Sequence, residues 1–335
     1  MKNNRIVLIR RPRFKGLAED EVSLQETDLP EPDEGQVRVR TIYLSIDPTI
    51  RLWLNADPPV ITATPLNTVV PSVGIGVIDK SRDANLPEGS LVSGMLGWQQ
   101  YCICPGRALQ QLSKIKGLPL TAHLSLLGST GLTAYFGLLD LGRPREGDTV
   151  LVSGAAGAVG SLVGQIAKIH GCRVVGIAGG ADKCHHLISQ LGFDDALDYR
   201  KNNLSEQLPL LGGVDIFFDN IGGPIREAGM LAMKDGGRIV VCGEIASDYK
   251  NNSGTGIVNS FLIVTKALQL LGLRVDRYFR RADEAFPQLA DWALSGRLQH
   301  PIHLHQGLES APQALNQLFT GANLGKAIVQ VSPDP

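Results

Sequence analysis

Val150-Leu151-Val152-Ser153-Gly154-Ala155-Ala156-Gly157-Ala158-Val159-Gly160 runs from an apolar strand into three glycines spaced three apart, and on into an amphipathic helix. Each glycine meets its own physical demand. Gly154 permits a tight turn after the strand, Gly157 lets backbone N–H groups approach a pyrophosphate, and Gly160 lets the helix lie close against the sheet. The helix that follows points its positive dipole end at the same spot. The stretch reads as the phosphate cradle of a dinucleotide.

Its surroundings complete the unit. Leu162, Val163, Ile166, Ala167 and Ile169 recur at helical spacing, Gly171 stops the helix, and Arg173-Val174-Val175-Gly176-Ile177-Ala178 resumes as a second strand. At the end of that strand an NAD-selecting enzyme usually carries Asp or Glu for the adenosine ribose hydroxyls. This chain has Ala178-Gly179-Gly180, which leaves room for a 2'-phosphate, and Lys183 lies within reach at the start of the next helix. The reading is NADP. One charge-assisted hydrogen bond is worth about 1.5 to 3 kcal/mol, roughly a tenfold to hundredfold preference between the cofactors. Asp182 stands against it, because turned inward it would repel the phosphate, and the plain alternative for Lys183 is a solvated helix residue.

The 335 residues are enough for two domains, each with its own core. A formal net charge of −1, with both signs spread along the chain, supplies no field for nucleic acid or an anionic membrane. The first residues hold only the short apolar run Ile6-Val7-Leu8-Ile9 and read as a strand, not a signal peptide. The longest apolar tract, residues 261–273, is interrupted by Lys266 and Gln269, so no bilayer span is expected. Cys102, Cys104, Cys172, Cys184 and Cys242 are scattered and odd in number, which suits reduced thiols in a cytoplasmic protein. Cys102 with Cys104, or His303 with His305 near His300, could share strand faces, but neither set completes a zinc site, and no metal is expected.

Three stretches follow from the patterning. Residues 1–123 hold short runs such as 36–46, 73–79 and 91–98, separated by Pro and Gly turns, and read as mostly antiparallel β. Residues 124–296 alternate strands and helices, with continuous apolar strands at 215–219 and 238–242, as expected in a doubly wound parallel sheet. Residues 297–335 are too short to stand alone; strands around 303–305 and 326–331 flank a helix at 311–319 and are expected to complete the first domain.

Four motifs in one order carry a family resemblance: Gly131-Leu132-Thr133-Ala134-Tyr135-Phe136-Gly137-Leu138-Leu139, the segment 154–168, Phe218-Asp219-Asn220-Ile221-Gly222-Gly223, and Asn323-Leu324-Gly325-Lys326. With Tyr43-Leu44-Ser45-Ile46-Asp47-Pro48, they make the chain resemble the zinc-independent medium-chain dehydrogenase/reductases over nearly its whole length. The nearest branch is that of prostaglandin reductase and leukotriene B4 12-hydroxydehydrogenase, with bacterial alkenal and curcumin reductases. The resemblance implies a Rossmann domain beside a GroES-like β-rich catalytic domain, and homodimers formed through the Rossmann domains. It also implies site residues: Ala156, Gly157, Ala158 and Val159 at the pyrophosphate, Gly179, Lys183 and Tyr199 at the 2'-phosphate end, and Asn220, Cys242, Gly243, Leu273, Arg274, Val275 and Asn323 along the rest of the cofactor. Taken singly, Asn220 or Asn323 would more often be a turn or cap residue.

The implied chemistry is hydride addition from NADPH to the β-carbon of a carbonyl-conjugated double bond, with the resulting enolate oxygen held by hydrogen bonds. By the same resemblance Tyr249 is the candidate donor, a phenol able to give a hydrogen bond and a proton. Its loop, Cys242-Gly243-Glu244-Ile245-Ala246-Ser247-Asp248-Tyr249, is one residue longer than the family pattern, and an exposed loop tyrosine is the plain alternative. Arg51 matches an arginine at the family's substrate mouth, where it would meet a carboxylate or polar tail. Thr49 replaces the family's usual tyrosine and implies a wider or more polar pocket, and Trp53 and Leu54 are either pocket wall or core. Quinone reduction, oxidation of a hydroxy-lipid, and NADPH binding as a redox sensor without turnover remain open alternatives.

Overall fold

The structure, a computed structural model, describes residues 1–58, 62–247, 256–257 and 259–335. Six strands form one parallel sheet in the spatial order Asp195–Asp198, Arg173–Ala178, Thr149–Ser153, Val214–Asp219, Met233–Val241, Gln269–Gly272. In chain order this is 3-2-1-4-5-6, so the winding reverses between Thr149–Ser153 and Val214–Asp219, where a doubly wound sheet opens a crevice at its carboxyl end.

The continuous apolar strands arise because both faces of this sheet are covered. Val150, Val152, Val174, Ile216, Phe218 and Val240 enter one core with the helices Ser129–Phe136, Ala158–Ile169 and Ala282–Leu294. Leu151, Val175, Ile177, Phe217 and Ile239 enter a second core with Gly223–Ala232. Neighbouring residues thus alternate between two buried faces, each fully buried side chain of this size contributing about 1.5 to 3 kcal/mol.

The first part of the chain builds a mostly antiparallel seven-stranded sheet around the long strand Gln36–Ser45, which pairs with Val73–Ser81 and Tyr101–Pro105. The tail returns to it. Lys326–Gln330 pairs antiparallel with Gln36–Ser45 and parallel with Ile302–Gln306, and the helix Ala311–Thr320 packs on this sheet through Ala311, Ala314 and Leu315. The apolar tract at 261–273 divides into a short helix, Phe261–Thr265, and the edge strand Gln269–Gly272. Among the described residues no helix is long and apolar enough to cross a membrane.

Candidate cofactor and active site

The glycine loop sits at the point where the sheet winding reverses. Gly154 has φ +59°, a conformation that side chains disfavour, and turns the chain directly after the Thr149–Ser153 strand. A Cβ on Gly160 would stand 2.4 Å from the Gly154 carbonyl oxygen and 2.8 Å from the Ala155 Cα, so the first turn of the helix lies in contact with the loop. Gly157 begins that helix without a side-chain cap, and the Ser161 N–H is the one that returns to the Gly157 carbonyl. The N–H groups of Ala158, Val159 and Gly160 therefore point outward with the positive end of the helix dipole, as an anion site requires. The tail roofs the loop. The Gly325 N–H donates to the Ala156 carbonyl at 2.8 Å, and the Asn323 amide nitrogen donates to the Gly325 carbonyl at 3.1 Å.

Two cations gather at the end of Arg173–Ala178. Lys183, half-buried in the first turn of the helix Ala181–Ser189, donates to the Gly321 carbonyl at 2.9 Å, and Arg200 donates to the Thr320 carbonyl at 3.2 Å. Arg200 also lies over the Tyr199 ring at 5.9 Å, and a Cβ on Gly179 would meet that ring at 2.8 Å. Asp198 shapes this corner: its Oδ1 accepts from the N–H groups of Gly180 at 2.8 Å and Arg200 at 3.0 Å, and these bonds hold its carboxyl below the usual carboxylate range. Burial, together with the Arg200 guanidinium, holds the Lys183 ammonium below its ordinary value. Two like charges held on the adjoining carbonyls of Gly321 and Thr320 favour an anion between them. Asp182 is exposed in the first turn of the same helix. An uncapped helix start on one side and two cations beside Gly179-Gly180 on the other fit a dinucleotide with a 2'-phosphate.

Across the reversal point, the strand Val214–Asp219 ends in a fully buried carboxylate. Asp219 Oδ1 accepts from the Ser153 hydroxyl at 2.7 Å and from the N–H groups of Ile221 and Gly222, and its Oδ2 pairs with Arg226 at 2.7 Å. Asn220 donates its side-chain amide to the Ser153 carbonyl at 2.7 Å, tying the ends of the two central strands together. The N–H groups of Cys242 and Gly243 both donate to the Asp219 carbonyl, and burial, followed by the Asp219 charge, pushes the Cys242 thiol up to about 12. Leu273 continues the edge strand, its N–H on the Val241 carbonyl at 3.0 Å. Arg274 is exposed and paired with Asp276, and Val275 opens the 3-10 stretch Val275–Arg281. The loops carrying Gly157, Asn220, Cys242 and Asn323 thus meet along the carboxyl edge of the sheet.

Arg51 is a correction. It is fully buried, with its guanidinium on the carbonyls of Phe14 at 2.6 and 2.9 Å and of Pro12 at 3.3 Å, and on the Asn55 side chain at 2.6 Å. It fastens the 12–14 loop to the helix Pro48–Trp53 and offers nothing to a substrate carboxylate. Leu54 is likewise core, Trp53 packs against that core, and Thr49 is exposed. Tyr249 lies outside the described residues. Among the described residues no group of three or more His, Cys, Asp or Glu is placed to hold a metal ion; His303 and His305 stack at 4.6 Å, and His303 Nδ1 accepts the Leu324 N–H at 3.3 Å. Arg200 and Asp198 were not singled out from sequence, because their placement depends on the bond between Asp198 and the distant Gly180 N–H.

Two family models match the chain: one described as the N-terminal domain of oxidoreductase over residues 4–112, the other as a zinc-binding dehydrogenase over residues 158–295. The NADPH-dependent curcumin reductase of Escherichia coli (strain K12) is 36% identical, covering 99% of this chain and 98% of its own length. The NADP(+)-dependent 2-alkenal reductase of Nicotiana tabacum is 38% identical, over 89% of this chain and 88% of its own. The crystal structure of CurA from Vibrio vulnificus in complex with NADPH superposes with a TM-score of 0.91 at 35% identity, covering 99% of this chain and 100% of that one.

Proposed function

This chain belongs to the zinc-independent medium-chain dehydrogenase/reductases, in the branch of NADP-dependent alkenal, curcumin and prostaglandin reductases, and we propose that it reduces the carbon–carbon double bond of α,β-unsaturated aldehydes and ketones. It is an NADP-dependent oxidoreductase of the class acting on CH–CH bonds, with a Rossmann domain beside a GroES-like one. The single observation that carries the substrate reading is the full-length likeness to reductases named for conjugated substrates.

The geometry supports a division of labour. Lys183, Arg200 and Tyr199 bind the adenosine 2'-phosphate, and the N–H groups of residues 158–160 bind the pyrophosphate. Asn220, Cys242, Gly243 and the 273–275 segment orient the nicotinamide half, with Asn323 closing from the tail. NADPH supplies the hydride for the β-carbon. The protein's part is then to hold the developing enolate oxygen, and we assign that hydrogen bond to Tyr249.

The test is NADPH oxidation with a panel of short and long enals, aromatic enones and quinones, run in parallel with NADH and with Tyr249→Phe. Enals and enones should be reduced, NADPH should be preferred, and Tyr249→Phe should lower kcat by about tenfold to hundredfold, the scale of one hydrogen bond to a charged oxygen. Turnover confined to quinones would overturn the substrate reading.

The same reading places the enzyme in the cytoplasm as a homodimer. Support for the dimer comes from the edge strand Gln269–Gly272, which among the described residues pairs on one side alone, and from Phe261 and Val264, 69% and 72% exposed in the helix before it.

A further inference from the structure

Arg226 reaches from the buried layer under the cleft to a loop at its surface. Its Nε lies 2.7 Å from the Asp219 carboxylate, which is fully buried, while the same guanidinium pairs with Glu244 and donates to the Gly243 carbonyl at 3.4 Å. One planar fork thus connects the helix Gly223–Ala232, the end of the Val214–Asp219 strand, and the 242–247 loop that leaves the next strand. Cys242 packs against the core at the start of that loop, and backbone hydrogen bonds tie down the residues that follow. The Cys242 and Gly243 N–H groups share the Asp219 carbonyl, at 2.9 and 3.2 Å, and the Ala246 N–H donates to the Ile221 carbonyl at 2.8 Å. A Cβ on Gly243 would stand 2.7 Å from the Asn220 carbonyl oxygen, so the two loops touch backbone to backbone.

Their place in the sheet says what they serve. The two cations stand at the Arg173–Ala178 end, and a dinucleotide crossing the reversal point carries its other half over Val214–Asp219 and Met233–Val241, the strands from which these loops leave. We propose that Arg226 and Glu244 form a positioning clamp for the nicotinamide half of the cofactor, fixing the height of the 242–247 loop above Asn220. The inference rests on the NADPH reading and is independent of which double bond is reduced.

Removing Arg226 would strand the Asp219 charge in the interior and threaten folding, so Glu244→Ala is the informative variant: it keeps the buried pair and cuts the strap. The full-length protein is titrated calorimetrically with NADP+ and with adenosine 2',5'-bisphosphate, which has the adenosine end and no nicotinamide. Glu244→Ala should bind NADP+ about tenfold more weakly, the size of one charge-assisted hydrogen bond. It should bind the bisphosphate as the wild type does, and Glu244→Gln, which keeps an acceptor, should recover part of the loss. Equal weakening of both ligands, or no change in either, would overturn the clamp. Failure of the wild type to reduce enones would sink the substrate reading instead and leave this comparison intact.

Discussion

At the proposed adenosine end, Lys183 comes from the first turn of a helix and Arg200 from the turn after a strand, and both are held on carbonyls at the end of the Ala311–Thr320 helix. Burial, followed by the charge of Arg200, holds the Lys183 ammonium below its ordinary value, a cost that an anion beside it would relieve. Lys183→Ala and Arg200→Ala should therefore each weaken NADP+ binding by about tenfold to hundredfold and leave NAD+ nearly unchanged. Fluorescence titration with both cofactors checks this, and an equal loss for both would remove the residue from the phosphate site. Lys183 was legible because an expected acid is missing at the end of the preceding strand. Arg200 was not, because it is aimed by Asp198, whose carboxylate joins the backbone N–H groups of Arg200 and of Gly180, the latter 18 residues before Asp198 in sequence. Arg51 misled for the opposite reason: a motif match carries a residue type but not a direction, and here the side chain turns inward onto carbonyls.

Among the elements, the loop and helix around Gly160 bear most directly on cofactor binding. The helix can present bare N–H groups to a pyrophosphate because Gly160 lets its first turn touch the 154–155 backbone. Backbone cannot yield as a flexible side chain can, so Gly160→Ala should destabilise the protein by about 1 to 3 kcal/mol, the ordinary range for overpacking. It should also weaken NADP+ far more than an alanine on an exposed face would. Thermal unfolding with and without NADP+ separates the two effects, and a variant with wild-type midpoint and affinity would contradict the close packing. This element was legible because local spacing specifies it: glycines for contact, then a 3.6-residue apolar stripe. The tract at 261–273 was less so. Helix and edge strand are both apolar there, and the break at 266–268 depends on Ala267 adopting φ +47°, which residue type does not announce.

For the molecule as a whole, the tail is what joins the two sheets at the site. Lys326–Gln330 is a strand of the first sheet, yet the preceding Asn323-Leu324-Gly325 lies on the glycine loop of the second. Residue patterning placed both sheets, and the too-short tail pointed back to the first; the Gly325–Ala156 contact was invisible, since nothing local in either segment encodes it. The homodimer belongs to this scale. Light scattering should give twice the chain mass, and Phe261→Glu, which places a charge on the exposed apolar face, should shift it toward monomer; a monomeric wild type would refute that reading. The central claim, reduction of a conjugated double bond, is tested most directly by following the hydride. With NADPH carrying deuterium at both C4 positions of the nicotinamide and a 2-alkenal, mass spectrometry and NMR should find one deuterium on the β-carbon of the saturated aldehyde. Deuterium on the carbonyl carbon of an unsaturated alcohol, or a product without label, would contradict the account.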